Sequence, residues 1–259
     1  YQLVARWFGQ RSGWLSAILL ATLPAWLYYA QLPLLPNILF LSLVIFAFYF
    51  FTRQSAETDY LWSGLFFGLA IITRPIELPW LVALIVIPLI FYWRCINLQR
   101  SLIFLTAGLV PIAIMLLANY LLYGNPFYLG YFNLALADPT TLWQRLPKAF
   151  LINSERGWLA YIKLIVAPFG LNWSAVGHNF WQYFVLLLWP YCLLFLAGLI
   201  LFISRLKKLY KNKPLIIYWL LVIIIGLWLV IYYGSWQFDD QLMLKLNTIG
   251  ISYVRYWLP

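Results

Sequence analysis

The feature that most constrains this chain is a series of long apolar runs with almost no charge inside them. The clearest is 215–233, which opens Leu-Ile-Ile-Tyr-Trp and closes Val-Ile-Tyr-Tyr, with neither a charged residue nor a proline. An α-helix rises about 1.5 Å per residue, so roughly 20 such residues cross the ~30 Å hydrocarbon core of a bilayer. Seven candidate spans follow: 13–30, 34–52, 61–74, 76–93, 101–123, 181–203 and 215–233. The third and fourth are the weakest, split by Arg74-Pro75 into a hairpin, and the third has only 14 residues. Composition agrees: 65% of the 259 residues are hydrophobic and only 9% are charged, against about a quarter in a soluble domain. The expected fold class is therefore all-α, a polytopic transmembrane helical protein with about seven spans and a long outer loop carrying interfacial helices. Residues 1–259 read as one transmembrane domain, an internal piece of a longer protein, with an N-terminal span, a first outer loop and C-terminal spans lying beyond it.

The net charge of +10 raises the question of nucleic acid, but the basic residues form short clusters between apolar runs rather than one basic surface. Sidedness explains them better. Arg205, Lys207, Lys208, Lys211 and Lys213 crowd the segment between the last two spans, which makes 204–214 cytoplasmic. Alternating outward, Arg94 with Arg100, Arg53, and Arg6 with Arg11 also fall inside, and the alternation holds along the chain if 61–93 is a hairpin. Segments 124–180 and 234–259 then lie outside, in an expected cell-membrane (plasma or inner) setting. Within the first, Leu142, Trp143, Leu146 and Phe150 share a helical face opposite Gln144, Arg145 and Lys148, as an interfacial helix would. Tyr28, Tyr29, Tyr123, Tyr232, Tyr233 and Trp236 mark outer span ends, where aromatic residues anchor. Cys95 and Cys192 form no disulfide framework and read as free thiols.

No span carries a charge near its middle, which counts against an ion-coupled pump. Chemistry is left to the outer ends. Thr73-Arg74-Pro75 places a guanidinium at a hairpin tip, with Glu77 close enough in sequence to orient it; the arginine either snorkels to water or grips a phosphate bidentately. Asn119 lies a turn before Gly124-Asn125-Pro126, an ordinary helix stop, and a buried amide there needs partners. Asp239-Asp240 is an acidic pair suited to general-base or metal chemistry, or simply solvated. His178 is the one histidine, a base or ligand without a neighbouring motif. Arg255 stands among Tyr253, Tyr256 and Trp257, an arrangement that suits a lipid phosphate bearing a sugar, or plain interfacial anchoring.

The order of these segments resembles the GT-C superfamily of membrane glycosyltransferases, in the branch of family 39 protein mannosyltransferases and related bacterial lipid-linked sugar transferases. The residues that carry it are Tyr1-Gln-Leu-Val-Ala-Arg6-Trp-Phe-Gly9 with the Ala-rich 17–25, then Gly64-Leu-Phe-Phe-Gly68-Leu-Ala-Ile-Ile-Thr73-Arg74-Pro75, Asn119 through Tyr131, and Arg255-Tyr-Trp-Leu-Pro259. The resemblance implies transfer of a sugar from a polyprenyl-phosphate carrier to a protein, lipid or glycan acceptor at the outer membrane face. It implies an acidic base in a first outer loop that would precede Tyr1, so no catalytic residue is assigned in this chain. Substrate binding is assigned to Arg74 and Arg255, supported by Tyr256, with Glu77, Asn119, His178, Asp239 and Asp240 as further candidates. No cofactor and no metal ligand is assigned; the expected partners are membrane lipids and the lipid-linked donor, without nucleic acid. Two other classes fit the residues: a multipass transporter or flippase, and a lipid-linked glycan polymerase or ligase.

Overall fold

The computed structural model describes residues 1–23, 26–27, 36–53, 55–92, 97–126, 171–204 and 213–235. Every regular element among them is helical: α1 (Gln2–Phe8), α2 (Gln10–Thr22), α3 (Pro36–Arg53), α4 (Glu57–Thr73), a 3-10 turn (Pro75–Glu77), α5 (Leu78–Tyr92), α6 (Leu98–Tyr123), α7 (Trp173–Asn179), a π-helical stretch (Phe180–Leu186), α8 (Trp189–Ser204) and α9 (Lys213–Gly234). The described residues are thus all-α, and each of the seven apolar runs carries a helix. By length and apolarity three of these helices can cross a membrane: Pro36–Arg53, Leu98–Tyr123 and Leu215–Gly234. A fourth candidate is the pair Trp173–Leu186 and Trp189–Ser204, which bends by 95° at its break. The described segments make this a multi-pass membrane protein. Helices α2, α4 and α5 have 13, 17 and 15 residues, so each alone falls short of the bilayer core. The interfacial helix expected at 142–150, residues 205–212 of the segment 204–214 and the aromatic anchors Tyr28, Tyr29 and Trp236 lie outside the described residues.

The chain divides into two compact units: Tyr1–Pro126 with Asn212–Trp219 and Leu258–Pro259, and Phe127–Lys211 with Leu220–Trp257. In the first, α3, α4 and α6 form the packed core. Asn37, Phe40, Val44 and Ala47 recur on one side of α3 at helical spacing, and all are buried. Ser63 on α4 donates to the Ala47 carbonyl at 2.7 Å across that seam. On its other side α4 meets α6 through small residues. A Cβ built on Gly64 would collide with the Phe104 carbonyl, and one on Gly68 with the Gly108 carbonyl. The Gly-x-x-x-Gly spacing puts both glycines on one face, so the two backbones approach where no side chain fits. Ascending positions on α4 meet ascending positions on α6, so the helices run parallel. A return element is then required between them, and α5 supplies it, as the hairpin reading of 61–93 demands.

Local chemistry sets the ends of α4. Ala56 at its N-cap has no side-chain acceptor, so Asp59 at the third helical position caps from within: one carboxylate oxygen accepts from Ser55 N–H (2.8 Å), Ser55 Oγ (2.7 Å) and Ala56 N–H (3.3 Å). Arg53 pairs with the other oxygen at 3.5 Å. Burial pushes this carboxyl up, but the three hydrogen bonds, with Arg53 assisting, outweigh it and hold Asp59 below the usual carboxylate range. The same end of the unit gathers Arg6 over the Tyr49 ring (4.9 Å) and Arg100 over Tyr60 (5.5 Å). Gln99 donates to Glu57 there at 3.1 Å. At the far end Pro75 excludes the preceding residue from helical geometry, and Arg74 leaves the helix at φ −145°, ψ 80°.

The second unit contains α7, the π-helical stretch, α8 and most of α9. Asn172 caps α7 by accepting from Ala175 N–H at 3.1 Å. Tyr232 and Tyr233 differ from the sequence expectation: they are buried, with Tyr233 fully so, and Tyr232 stacks on Trp228 at 5.6 Å. They are enclosed by protein at the end of α9, where an anchor would face lipid. Tyr123 is exposed, as an interfacial anchor should be. Cys192 is a free thiol, and Cys95 lies outside the described residues.

Candidate functional site

The break after α4 creates the site. Pro75 opens a tight 3-10 turn, and that turn brings residues three apart onto one side. Arg74 and Glu77 meet across it, Nη2 to Oε1 at 2.8 Å. Their side chains keep only 9% and 1% of their exposure, so this is a buried ion pair and not an arginine reaching for water. The second Glu77 oxygen accepts the Trp80 indole N–H at 2.6 Å. Phe40 on α3 completes the setting: the guanidinium lies 5.6 Å from its ring centroid, and Trp80 meets that ring edge-on at 5.7 Å. Cation and aromatic face attract one another most strongly when water is excluded. Asn37, also buried, stands one turn before Phe40 on the same helix.

Electrostatically the group is a charge-neutral pair with a fixed direction. Glu77 is pinned by Trp80, Arg74 is pinned by Glu77, and the aromatic floor limits both. Such a guanidinium carries its positive end at a set position, which is what recognition of a phosphate or other oxyanion requires. Its planar fork of donors makes lysine a poor replacement. No group of three His, Cys, Asp or Glu side chains converges as a metal site among the described residues.

Of the residues singled out in the sequence, the structure brings Arg74 and Glu77 together. Asn119 is engaged elsewhere, where its Nδ2 donates to the Pro126 carbonyl at 3.2 Å and closes the turn after α6. Gly124 ends that helix in the left-handed region at φ 69°, the helix stop read from Gly124-Asn125-Pro126. His178 is exposed on α7 in the second unit. Asp239, Asp240, Arg255 and Tyr256 lie outside the described residues. Trp80 and Phe40 were missed in the sequence, where each is one more aromatic residue in an apolar run. The signal for Trp80 was its spacing: three residues after Glu77, it falls on the same side of the helix.

No curated protein and no solved structure matches this chain. A family model does: residues 1–120 match the one described as dolichyl-phosphate-mannose-protein mannosyltransferase. The matched stretch contains α1 to α5, the Gly64/Gly68 seam, the whole Arg74–Glu77–Trp80 group and most of α6. Over those residues the chain is similar to that family, which supports a GT-C mannosyltransferase-like membrane protein.

Proposed function

We propose that the chain belongs to an enzyme that moves a sugar from a polyprenyl-phosphate carrier to an acceptor at the outer membrane face. In this reading Arg74, fixed by Glu77 and Trp80, supplies positive charge to the carrier phosphate as it leaves, with Arg255 and Tyr256 contributing from the C-terminal segment. Charge on a departing phosphate is where oriented donors add most to rate. The observation that carries the proposal is the buried Arg74–Glu77 pair inside the stretch that matches the mannosyltransferase family.

Sidedness is part of the proposal, with seven spans and 204–214 inside. Two features support it. Arg6, Arg53 and Arg100 gather at one end of the first unit, as cytoplasmic residues should. Arg74 stands at the opposite end of α4, about 25 Å away along a helix of 17 residues. The experiment is a donor panel: the full-length protein in nanodiscs is given polyprenyl-phosphate sugars and, separately, nucleotide sugars. Transfer from a lipid-phosphate sugar alone is the expected result, and transfer only from nucleotide sugars would overturn it. A transporter or flippase is the second reading, favoured by the helix pair broken by 95°, since broken helices line transport sites. Movement of the lipid-linked sugar across the bilayer without its consumption would select it.

A further inference from the structure

The run 181–203 reads as one span, yet its helix turns by 95° between Trp173–Leu186 and Trp189–Ser204. Pro190 explains the break. It has no N–H to give to the Leu186 carbonyl, so the helix that arrives cannot continue, and a new one starts with proline in its first turn. Two helices at nearly a right angle cannot both follow the membrane normal.

Contacts with the end of α9 fix the depth of the first one. Asn172 N–H donates to Ser235 Oγ at 3.3 Å, and Asn179 Nδ2 donates to the Gly234 carbonyl at 2.9 Å. Between them Val176 packs so closely on Gly234 that a Cβ there would stand 3.1 Å from the Val176 Cα. Gly234 terminates the most apolar candidate span, Leu215–Gly234, so the segment docked on it sits where that span leaves the hydrocarbon. At about 100° per residue, Asn172, Val176 and Asn179 share the docked side of the helix. Trp173 and Phe180 share another, and Trp173 is 65% exposed; Trp181, 56% exposed, falls between that side and Ser174. Phe180 stacks on Phe184 at 5.1 Å and extends the aromatic side along the π-helical stretch. Ser174 and His178 form the third side, both exposed.

We infer that Trp173–Leu186 lies in the plane of the membrane at the end of α9, with its Trp173/Phe180 side set into the lipid interface and Ser174 and His178 facing water. Aromatic rings favour this layer because one part of the ring is apolar and its edge polar. The segment 171–204 has no Lys, Arg, Asp or Glu, so its partner is the interfacial layer of lipid as such and not an anionic headgroup. Exposed His178 then becomes a residue of the water-facing side.

The test uses the full chain with Cys95→Ser and Cys192→Ala as background, carrying one of Trp173→Cys, Phe180→Cys, Ser174→Cys or His178→Cys, each labelled with a small fluorophore. The proteins are placed in POPC vesicles containing a lipid spin-labelled near the top of its acyl chain. Labels at 173 and 180 should be quenched at least about twofold more than those at 174 and 178, at equal depth for 173 and 180. A water-soluble quencher should give the reverse order. Replacing a quarter of the POPC by POPG should change nothing. Equal quenching at all four sites, a steady increase in depth from 173 to 180, or dependence on POPG would each overturn the inference. If Phe180→Cys fails to fold, the comparison of 173 with 178 decides by the same criterion. None of these outcomes bears on donor use, so the enzymatic proposal stands or falls separately.

Discussion

Replacing Glu77 by alanine strips the Arg74 guanidinium of a counter-charge while leaving it in the bundle. The size of the effect depends on the regime. An exposed ion pair contributes about 0–1 kcal/mol, because water and salt screen it. Here the two side chains keep 9% and 1% of their exposure, so the buried regime applies, and removing one partner costs about 3–5 kcal/mol. The Trp80 indole N–H loses its acceptor in the same substitution, and a buried orphan donor costs about 1–3 kcal/mol. Both losses pass through one carboxylate, so they do not add fully, and the expected destabilisation of Glu77→Ala is about 4 kcal/mol. Removing both charges with apolar residues of similar size, Arg74→Met with Glu77→Leu, should recover most of this, leaving about 1–2 kcal/mol for the Trp80 N–H. Titrating SDS into mixed micelles and following unfolding by circular dichroism measures all three proteins. A loss below about 1 kcal/mol for Glu77→Ala would refute burial of the pair. A double variant less stable than Glu77→Ala would refute the uncompensated charge as the cause.

Four further outcomes are expected. Gly64→Leu and Gly68→Leu should each cost about 3 kcal/mol or more in the same titration, because the new atoms meet the Phe104 and Gly108 carbonyls rather than movable side chains. Gly226→Ala on α9, where a Cβ meets open space, should be neutral or stabilise by up to about 1 kcal/mol. Asp59→Asn should lower stability by about 1–2 kcal/mol at neutral pH. The folded-state value of Asp59 is lowered, so its contribution is complete above the unfolded value near 3.9 and disappears as pH falls through the folded value; the gap between wild type and Asp59→Asn should hold down to about pH 4 and close only below it in a thermal-stability series. Finally, a membrane-impermeant thiol reagent should label Lys208→Cys only after intact cells are opened, and labelling before lysis would reverse the sidedness.

The helices were legible because an apolar run can do little else in lipid than pair its own backbone. Even the return of the chain at Arg74-Pro75 could be read, since proline forbids its predecessor a helical conformation. Length was less legible. Asp59 lets α4 begin at Glu57, upstream of the apolar run, because a carboxylate near a helix start satisfies N–H groups that hydrophobicity does not register. The break inside 181–203 was signalled by Pro190, but a high apolar content masked it. Burial of Tyr232 and Tyr233 was hidden for a different reason: an aromatic residue at a span end looks alike whether lipid or protein covers it. The Gly64/Gly68 motif was recognisable as a family trait, whereas its cause, contact with the α6 backbone, needed the partner helix in view. At the site, Arg74 and Glu77 could be paired by spacing. Their enclosure by Trp80 and Phe40 could not, since Phe40 arrives from a helix remote in sequence.

The central claim is that the Arg74–Glu77 group serves donor chemistry and does more than hold α4 to α5. The most direct measurement is turnover of a polyprenyl-phosphate sugar by the full-length protein, wild type against the Arg74→Met/Glu77→Leu variant that keeps the fold. A loss of at least about 100-fold in kcat/KM is expected when an oriented donor to the leaving phosphate is removed. Turnover within about threefold of wild type would contradict it.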